Sequence, residues 1–205
     1  MTGMTASAST DERRDAEGRV GYFADFAVYA IVLVALVTVG VSGQAGSRSQ
    51  WLGAAVGGAA AWTLIEYVLH RFVFHQVPAI AAIHFIHHRL PRSYLWTPTW
   101  ASLAVLTGVF LLPLWRWASP TAALGVVTGI VAGYLWYGIE HHIIHHGRPR
   151  WVATALRGAG RRHALHHGSS NSGNFGVTTS VWDVAFATAL TDRARRPDRE
   201  SAVEP

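Results

Sequence analysis

Apolar residues fall into four long runs, at positions 22–41, 51–73, 97–117 and 120–139. The first is interrupted only by Asp25 and Thr38. A helix needs about 20 apolar residues to cross the hydrocarbon core of a bilayer, so the pattern predicts four transmembrane helices. Residues 42–50 are rich in Gly, Ser and Gln and read as a turn. The second run opens with Gly53, Ala54, Ala55, Gly57, Gly58, Ala59, Ala60 and Ala61, small residues that let helices approach closely in lipid. Only the corner at 115–120 separates the third run from the fourth. They form a tight hairpin, either fully spanning or re-entrant. Residues 1–19 are small, polar and charged, which predicts a disordered tail. The run that follows them is too long for a signal-peptide core. Residues 192–205 form a charged tail.

Polar positions at the ends of these runs carry the candidate chemistry. All 12 histidines lie in four segments, 70–75, 84–88, 141–146 and 163–167. The spacings suit helices: His84/His87, His141/His145 and His163/His166/His167 each read as one helical face. Imidazole is a good ligand for Fe, Zn, Cu and Ni, so the set points to a polyhistidine metal centre at a membrane surface. A metal-scavenging loop is the plainer alternative. Such loops are low-complexity tracts, whereas these groups recur at separate helix ends. Haem ligation takes one or two histidines, and these clusters are too dense for it. One tetrahedral Zn takes four ligands, so two ions are the natural count.

Carboxylates are scarce around the histidines, with only Glu66, Glu140 and Asp183 nearby. Glu66 lies one turn before His70, and Glu140 directly precedes His141. Each is either a hydrogen-bond partner for a ligand's second ring nitrogen or a plain interfacial carboxylate. For Asp183 a backbone-capping role is favoured over a bond to a ligand.

Composition narrows the class. Hydrophobic residues make up 50% of the chain and charged residues only 14%, well under the roughly 25% charged of soluble domains. Cysteine is absent, which excludes disulfides and thiolate metal sites. The net charge is +5, but the arginines flank apolar runs and do not interleave with aromatics on one face, so nucleic acid is not the expected partner. With the histidine side in the cytoplasm, every arginine except Arg48 and Arg116 falls inside, as the positive-inside rule requires. Both termini are then cytoplasmic. All basic residues are Arg, and Ala and Gly are abundant, a composition typical of a GC-rich bacterial genome, hence a bacterial cell membrane. Trp96, Trp100, Trp115, Trp117 and Trp136 read as interface anchors or helix packing, with a substrate-lining role as the alternative. Arg157, Arg161 and Arg162 read as contacts to anionic headgroups, or as a docking site for a donor protein.

Five segments, taken together, resemble the fatty acid hydroxylase/sterol desaturase superfamily, closest to its fatty acid 2-hydroxylase branch. They are Glu66-Tyr67-X2-His70-Arg71-X3-His75, His84-X2-His87-His88-X2-Pro91, Gly133-Tyr134-X2-Tyr137-X3-His141-X3-His145-His146, His163-X2-His166-His167, and Asn174-Phe175-Gly176-Val177-Thr178-X-Ser180-X-Trp182-Asp183. The resemblance covers roughly residues 60–190. It implies an all-α integral membrane protein, with four transmembrane helices beneath a cytosolic histidine-rich helical cap (70–92 and 141–183) that holds a dinuclear metal site. The membrane domain would run over 20–191. The implied ligands are His70, His75, His84, His87, His88, His141, His145, His163, His166 and His167. His142 and His146 fall where the family pattern needs no ligand and are expected in supporting roles.

The implied cofactor is a pair of iron ions, with O2 as co-substrate; Zn can replace iron in purified overexpressed protein. The implied reaction is hydroxylation of a lipid C–H bond, in this branch 2-hydroxylation of a fatty acid or acyl chain. Electrons come from a separate donor of cytochrome b5 or ferredoxin type. The loop from His75 to His84 is short for this branch, and Gly138 stands where the branch often has Asp. Carotenoid or sterol-type hydroxylation or desaturation on the same centre, and a non-enzymatic metal-binding membrane protein, are the alternatives.

Overall fold

The computed structural model describes residues 3–94, 97–147, 150–168 and 173–191. Every regular element among them is helical. In order they are α1 (Gly3–Ser42), α2 (Arg48–Val68), a π-helical turn (Leu69–Phe74), α3 (Pro78–Arg89), α4 (Thr99–Val105), a π-helical stretch (Leu106–Leu111), α5 (Leu112–Trp117), α6 (Pro120–His146), α7 (Arg150–Ala155), α8 (Arg157–Gly168) and α9 (Val181–Ala185). Among the described residues, four stretches are long and apolar enough to cross a membrane: Gly18–Ser42, Arg48–Phe74, Thr99–Trp117 and Pro120–His146. Each overlaps one expected span. The fourth runs beyond 139 because the histidines that follow stay helical up to Gly147, whose φ of 97° ends α6.

The backbone of α1 extends back to Gly3. Ala, Glu, Arg and Met in this stretch are good helix formers, and a span that is already helical removes the cost of nucleation. Trp96, Arg148 and the charged tail at 192–205 lie outside the described residues.

The chain divides into two compact units. One comprises residues up to Trp62 together with Arg89–Ile139, and the other comprises Thr63–His88 and residues from Glu140 onward. In the first unit Tyr29, Val127 and Val131 form a buried core, ringed by Val32, Leu36, Leu103, Phe110 and Tyr134. The backbones of α2 and α6 meet closely. A Cβ on Gly58 would lie 2.1 Å from the carbonyl oxygen of Val126, and one on Gly129 would lie 2.0 Å from that of Ala55. Gly125, Gly129 and Gly133 recur every four residues, the small-residue seam of helix pairs in lipid. Asp25 accepts a hydrogen bond from the Tyr134 hydroxyl, so this carboxylate within a span has a partly buried partner. Outward-facing Ile31, Val34, Leu52, Val56, Val105, Val109 and Leu112 are exposed, far more apolar surface than a soluble domain leaves uncovered.

The second unit contains all four histidine segments. They sit on the π turn and the residue after it (His70, His75), on α3, on the last two turns of α6 and on α8. Pro78 opens α3 at a position where its missing N–H is not needed.

Candidate metal centre

Ten histidines gather into two groups of five. The first group is His70, His75, His84, His88 and His166; the second is His87, His141, His145, His163 and His167. Within each group the candidate ligand atoms all lie within 4.8 Å of one another. His142 and His146 belong to neither. Their rings stack on each other with centroids 4.6 Å apart at 16°.

Helical register explains the partition. Residues four apart share a group: His84 with His88, His141 with His145, and His163 with His167. The residue three after the first of each HX2HH motif goes to the other group. His84 and His87 therefore do not form a single ligand face, nor does His166 join His163 and His167, in contrast to what the spacing suggested. One residue advances a helix by about 100°, so adjacent His87 and His88 aim at different centres, as do His166 and His167.

His70 and His75 are five apart, about 140° around a regular α-helix. The π turn from Leu69 to Phe74 removes that mismatch, because its hydrogen bonds run from i to i+5. The two rings consequently lie 5.1 Å apart, centroid to centroid.

Convergence of lone pairs gives the groups their chemical meaning. His70 Nδ1 donates to the Phe175 carbonyl at 2.5 Å, and His166 Nδ1 donates to that of Gly173 at 2.8 Å. A carbonyl only accepts, so the proton is on Nδ1, and a neutral ring then presents a lone pair at Nε2. His70 Nε2 faces His84 Nε2 at 3.1 Å, while His166 Nε2 faces His75 and His88 Nε2 at 3.2 and 3.1 Å. In the second group His141 meets His87 at 3.1 Å, and His163 meets His145 and His167 at 2.7 and 3.0 Å, all through Nε2. Ligands about 2.1 Å from a metal, at right angles, are about 3 Å from one another. A cation at each focus would satisfy the inward nitrogens at once, and an all-imidazole set suits a first-row transition metal. The donor set fits such an ion in both groups.

The environment keeps these rings neutral. Burial, helped by neighbouring imidazoles, pushes His75 down to about 4, His87 and His88 to about 3, and His84 to about 2. Burial also lowers His166 to about 4, although its bond to Gly173 opposes the shift. His163 is held well below its ordinary value, and His167 is lowered too. Neutral imidazole is the form that binds metal.

Glu66 and Asp183 bind backbone amides of one loop. Glu66 is buried and accepts from the Val177 and Thr178 amides at 2.6 and 3.0 Å, and from the Thr178 hydroxyl. Asp183 is fully buried; it accepts from the Phe175 and Gly176 amides at 2.8 Å each and from the Thr188 hydroxyl at 2.7 Å. Glu140 is buried beside His141. The sequence reading missed the Phe175 and Gly173 carbonyls, because any residue can supply a carbonyl. The signal that pointed nearby was the Asn174-Phe175-Gly176 motif. Asn174 adopts φ 54°, and its side chain ties to Arg162 and Leu190. A Cβ on Gly173 would lie 2.1 Å from the Thr188 carbonyl oxygen, so the turn requires glycine.

Membrane-length helices and a twin polyhistidine centre define a multi-pass membrane protein built for metal-dependent chemistry. The fatty acid hydroxylase family model matches residues 55–188, and the chain belongs to that family. Among similar proteins, the dihydroceramide fatty acyl 2-hydroxylase FAH2 of Arabidopsis thaliana is 34% identical over 64% of this chain and 58% of its own length. The fatty acid 2-hydroxylase of Rattus norvegicus is 31% identical over 71% of this chain and 42% of its own. The ceramide very long chain fatty acid hydroxylase SCS7 of Saccharomyces cerevisiae is 34% identical over 65% and 37%. The chain thus spans about two-fifths to three-fifths of the length of these relatives. A solved structure of full-length scs7p, with only its hydroxylase domain visible, superposes with a TM-score of 0.68 at 27% identity, covering 83% of this chain and 67% of that one.

Proposed function

We propose that this protein is a membrane-bound di-iron oxygenase that hydroxylates a lipid C–H bond, at C2 of a fatty acid or acyl chain. The observation that carries this reading is the pair of five-imidazole groups in a chain of the fatty acid hydroxylase family. The relatives named as 2-hydroxylases of fatty acids and dihydroceramide acyl chains support the substrate class.

Each group holds one iron: His70, His75, His84, His88 and His166 one ion, and His87, His141, His145, His163 and His167 the other. Iron held there supplies the redox chemistry by which O2, two electrons and two protons convert R–H into R–OH and water. The protein's own part is to present ten neutral imidazoles, fix their tautomers and keep water from the centre. His142 and His146 support α6 and are not ligands. Electrons arrive from a cytochrome b5 or ferredoxin-type donor. The histidine groups and both termini face the cytoplasm of a bacterial cell, the orientation that keeps all arginines but Arg48 and Arg116 inside.

The test is lipid analysis of cells expressing the protein under 18O2. A 2-hydroxy fatty acid carrying one 18O atom is expected. Loss of two hydrogens without added oxygen would favour a desaturase, and unchanged lipids in cells whose protein carries iron would defeat the assignment.

A further inference from the structure

Asp183 and His70 are joined by a single peptide group. The Gly176 N–H donates to Asp183 Oδ2 at 2.8 Å, and the carbonyl of the same peptide, that of Phe175, accepts the His70 Nδ1 proton at 2.5 Å. All three parts are buried: His70 is 2% exposed, Phe175 5% and Asp183 0%. Metal-binding histidines commonly give their second N–H to a carboxylate. Here a peptide stands between the two, and a hydrogen bond at one end of a peptide strengthens the acceptor at the other.

The same carboxylate reaches the second anchored ring of the first group. Asp183 Oδ1 accepts from the Thr188 hydroxyl, and its backbone carbonyl accepts from the Thr188 amide at 2.7 Å. Thr188 in turn accepts the Asn174 N–H at 2.9 Å, and the other end of that peptide is the Gly173 carbonyl bonded to His166. The Tyr67 hydroxyl lies 3.1 Å from the Thr188 hydroxyl and accepts from Arg71 at 2.7 Å. The network converges on His70 and His166, both in the first five-histidine group.

We infer that Asp183 is a positioning residue for one metal ion of the two, acting on His70 and His166 through the Phe175–Gly176 and Gly173–Asn174 peptides. This inference rests on the dinuclear reading above. Asp183 fixes the orientation and Nδ1-protonated tautomer of these two rings and raises the basicity of their Nε2 atoms. Glu66 clamps the same loop through the Val177 and Thr178 amides and serves as a control for simple loosening.

The experiment is chelator challenge of the full chain in detergent, loaded anaerobically with ferrous iron, with metal counted per chain over time. Asp183→Asn is nearly isosteric but replaces one acceptor by a donor. It should still load two irons and then release one of them about 10–100-fold faster than wild type, while the second leaves at the wild-type rate. Glu66→Gln should release both ions with similar, smaller acceleration. Release of both ions together from Asp183→Asn, or an unchanged rate, would overturn the relay while leaving the metal centre intact. A one-ion defect of equal size in Glu66→Gln would overturn it as well. Folded wild-type protein that takes up no metal would overturn the dinuclear reading itself, and the relay with it.

Discussion

His87 and His88 are neighbours in the chain yet belong to different five-histidine groups. His87 Nε2 lies 3.1 Å from His141 Nε2, while His88 Nε2 lies 3.1 Å from those of both His84 and His166. His166 and His167 are divided in the same way. The stacked rings of His88 and His167, 4.3 Å apart at 18°, carry the two groups side by side. Two rigid helices, α3 and α8, thus fix the separation of the foci, since each contributes to both.

This division predicts selective metal loss. His88→Ala should lower iron from about two to about one per chain by emptying the first group, and His87→Ala should do the same for the second. Removal of a ligand costs far more than removal of its supporting partner, so turnover should fall below detection in both. Iron analysis and product assay together check this, and an H87A/H88A double variant should hold almost none.

The His70 to His75 spacing predicts an asymmetric response to insertion and deletion. Deleting Val73 converts the π turn at Leu69–Phe74 into regular α-helix with the two histidines four apart, which again share a face. Inserting one Ala places them six apart, about 120° from each other around a regular α-helix. The deletion should retain most first-group metal, and the insertion should lose about one iron per chain. Equal loss in both would show that the π turn does not set the alignment.

Packing of α2 against α6 predicts a contrast between two adjacent glycines. A Cβ at Gly58 would meet the Val126 backbone, whereas one at Gly57 meets nothing within 4 Å. Gly58→Val should destabilise the protein by about 1–3 kcal/mol or more through overpacking. Gly57→Ala should be neutral or stabilise by up to about 1 kcal/mol through helix propensity. Thermal unfolding in detergent would distinguish them.

Acid should weaken the metal-free protein in a defined window. The folded-state values of about 4 for His75 and His166 and about 3 for His87 and His88 lie below the unfolded value of 6.5. Between these limits the unfolded chain binds more protons, so stability rises with pH. It is fully present above about 6.5 and is lost progressively as pH falls toward about 3. Unfolding midpoints of the apoprotein from pH 7.5 to pH 4.5 should therefore decline, most steeply below 6.5. A flat profile would show that these rings are not buried neutral.

Much of this was legible in the sequence, and the part that was not has a physical reason. Apolar runs mark membrane-length helices because lipid requires an uninterrupted stretch, and residues 22–41 and 120–139 fall within Gly18–Ser42 and Pro120–His146. Clustering of His84, His87 and His88 was visible as chemistry. Their assignment to different centres was not, because i+3 and i+4 neighbours share a face in a pattern but diverge by about 100° in space. The π turn was hidden because no residue type demands it. The bonds of Glu66 and Asp183 to loop amides were hidden because the partner is backbone, over a hundred residues away in the case of Glu66.

Iron content per chain tests the central claim most directly. Protein purified in detergent, stripped and reloaded anaerobically with ferrous iron, should hold about two irons per chain, falling to about one in either His87→Ala or His88→Ala. One iron per chain in the wild type, or none in protein shown to be folded, would contradict a centre made of two five-histidine groups.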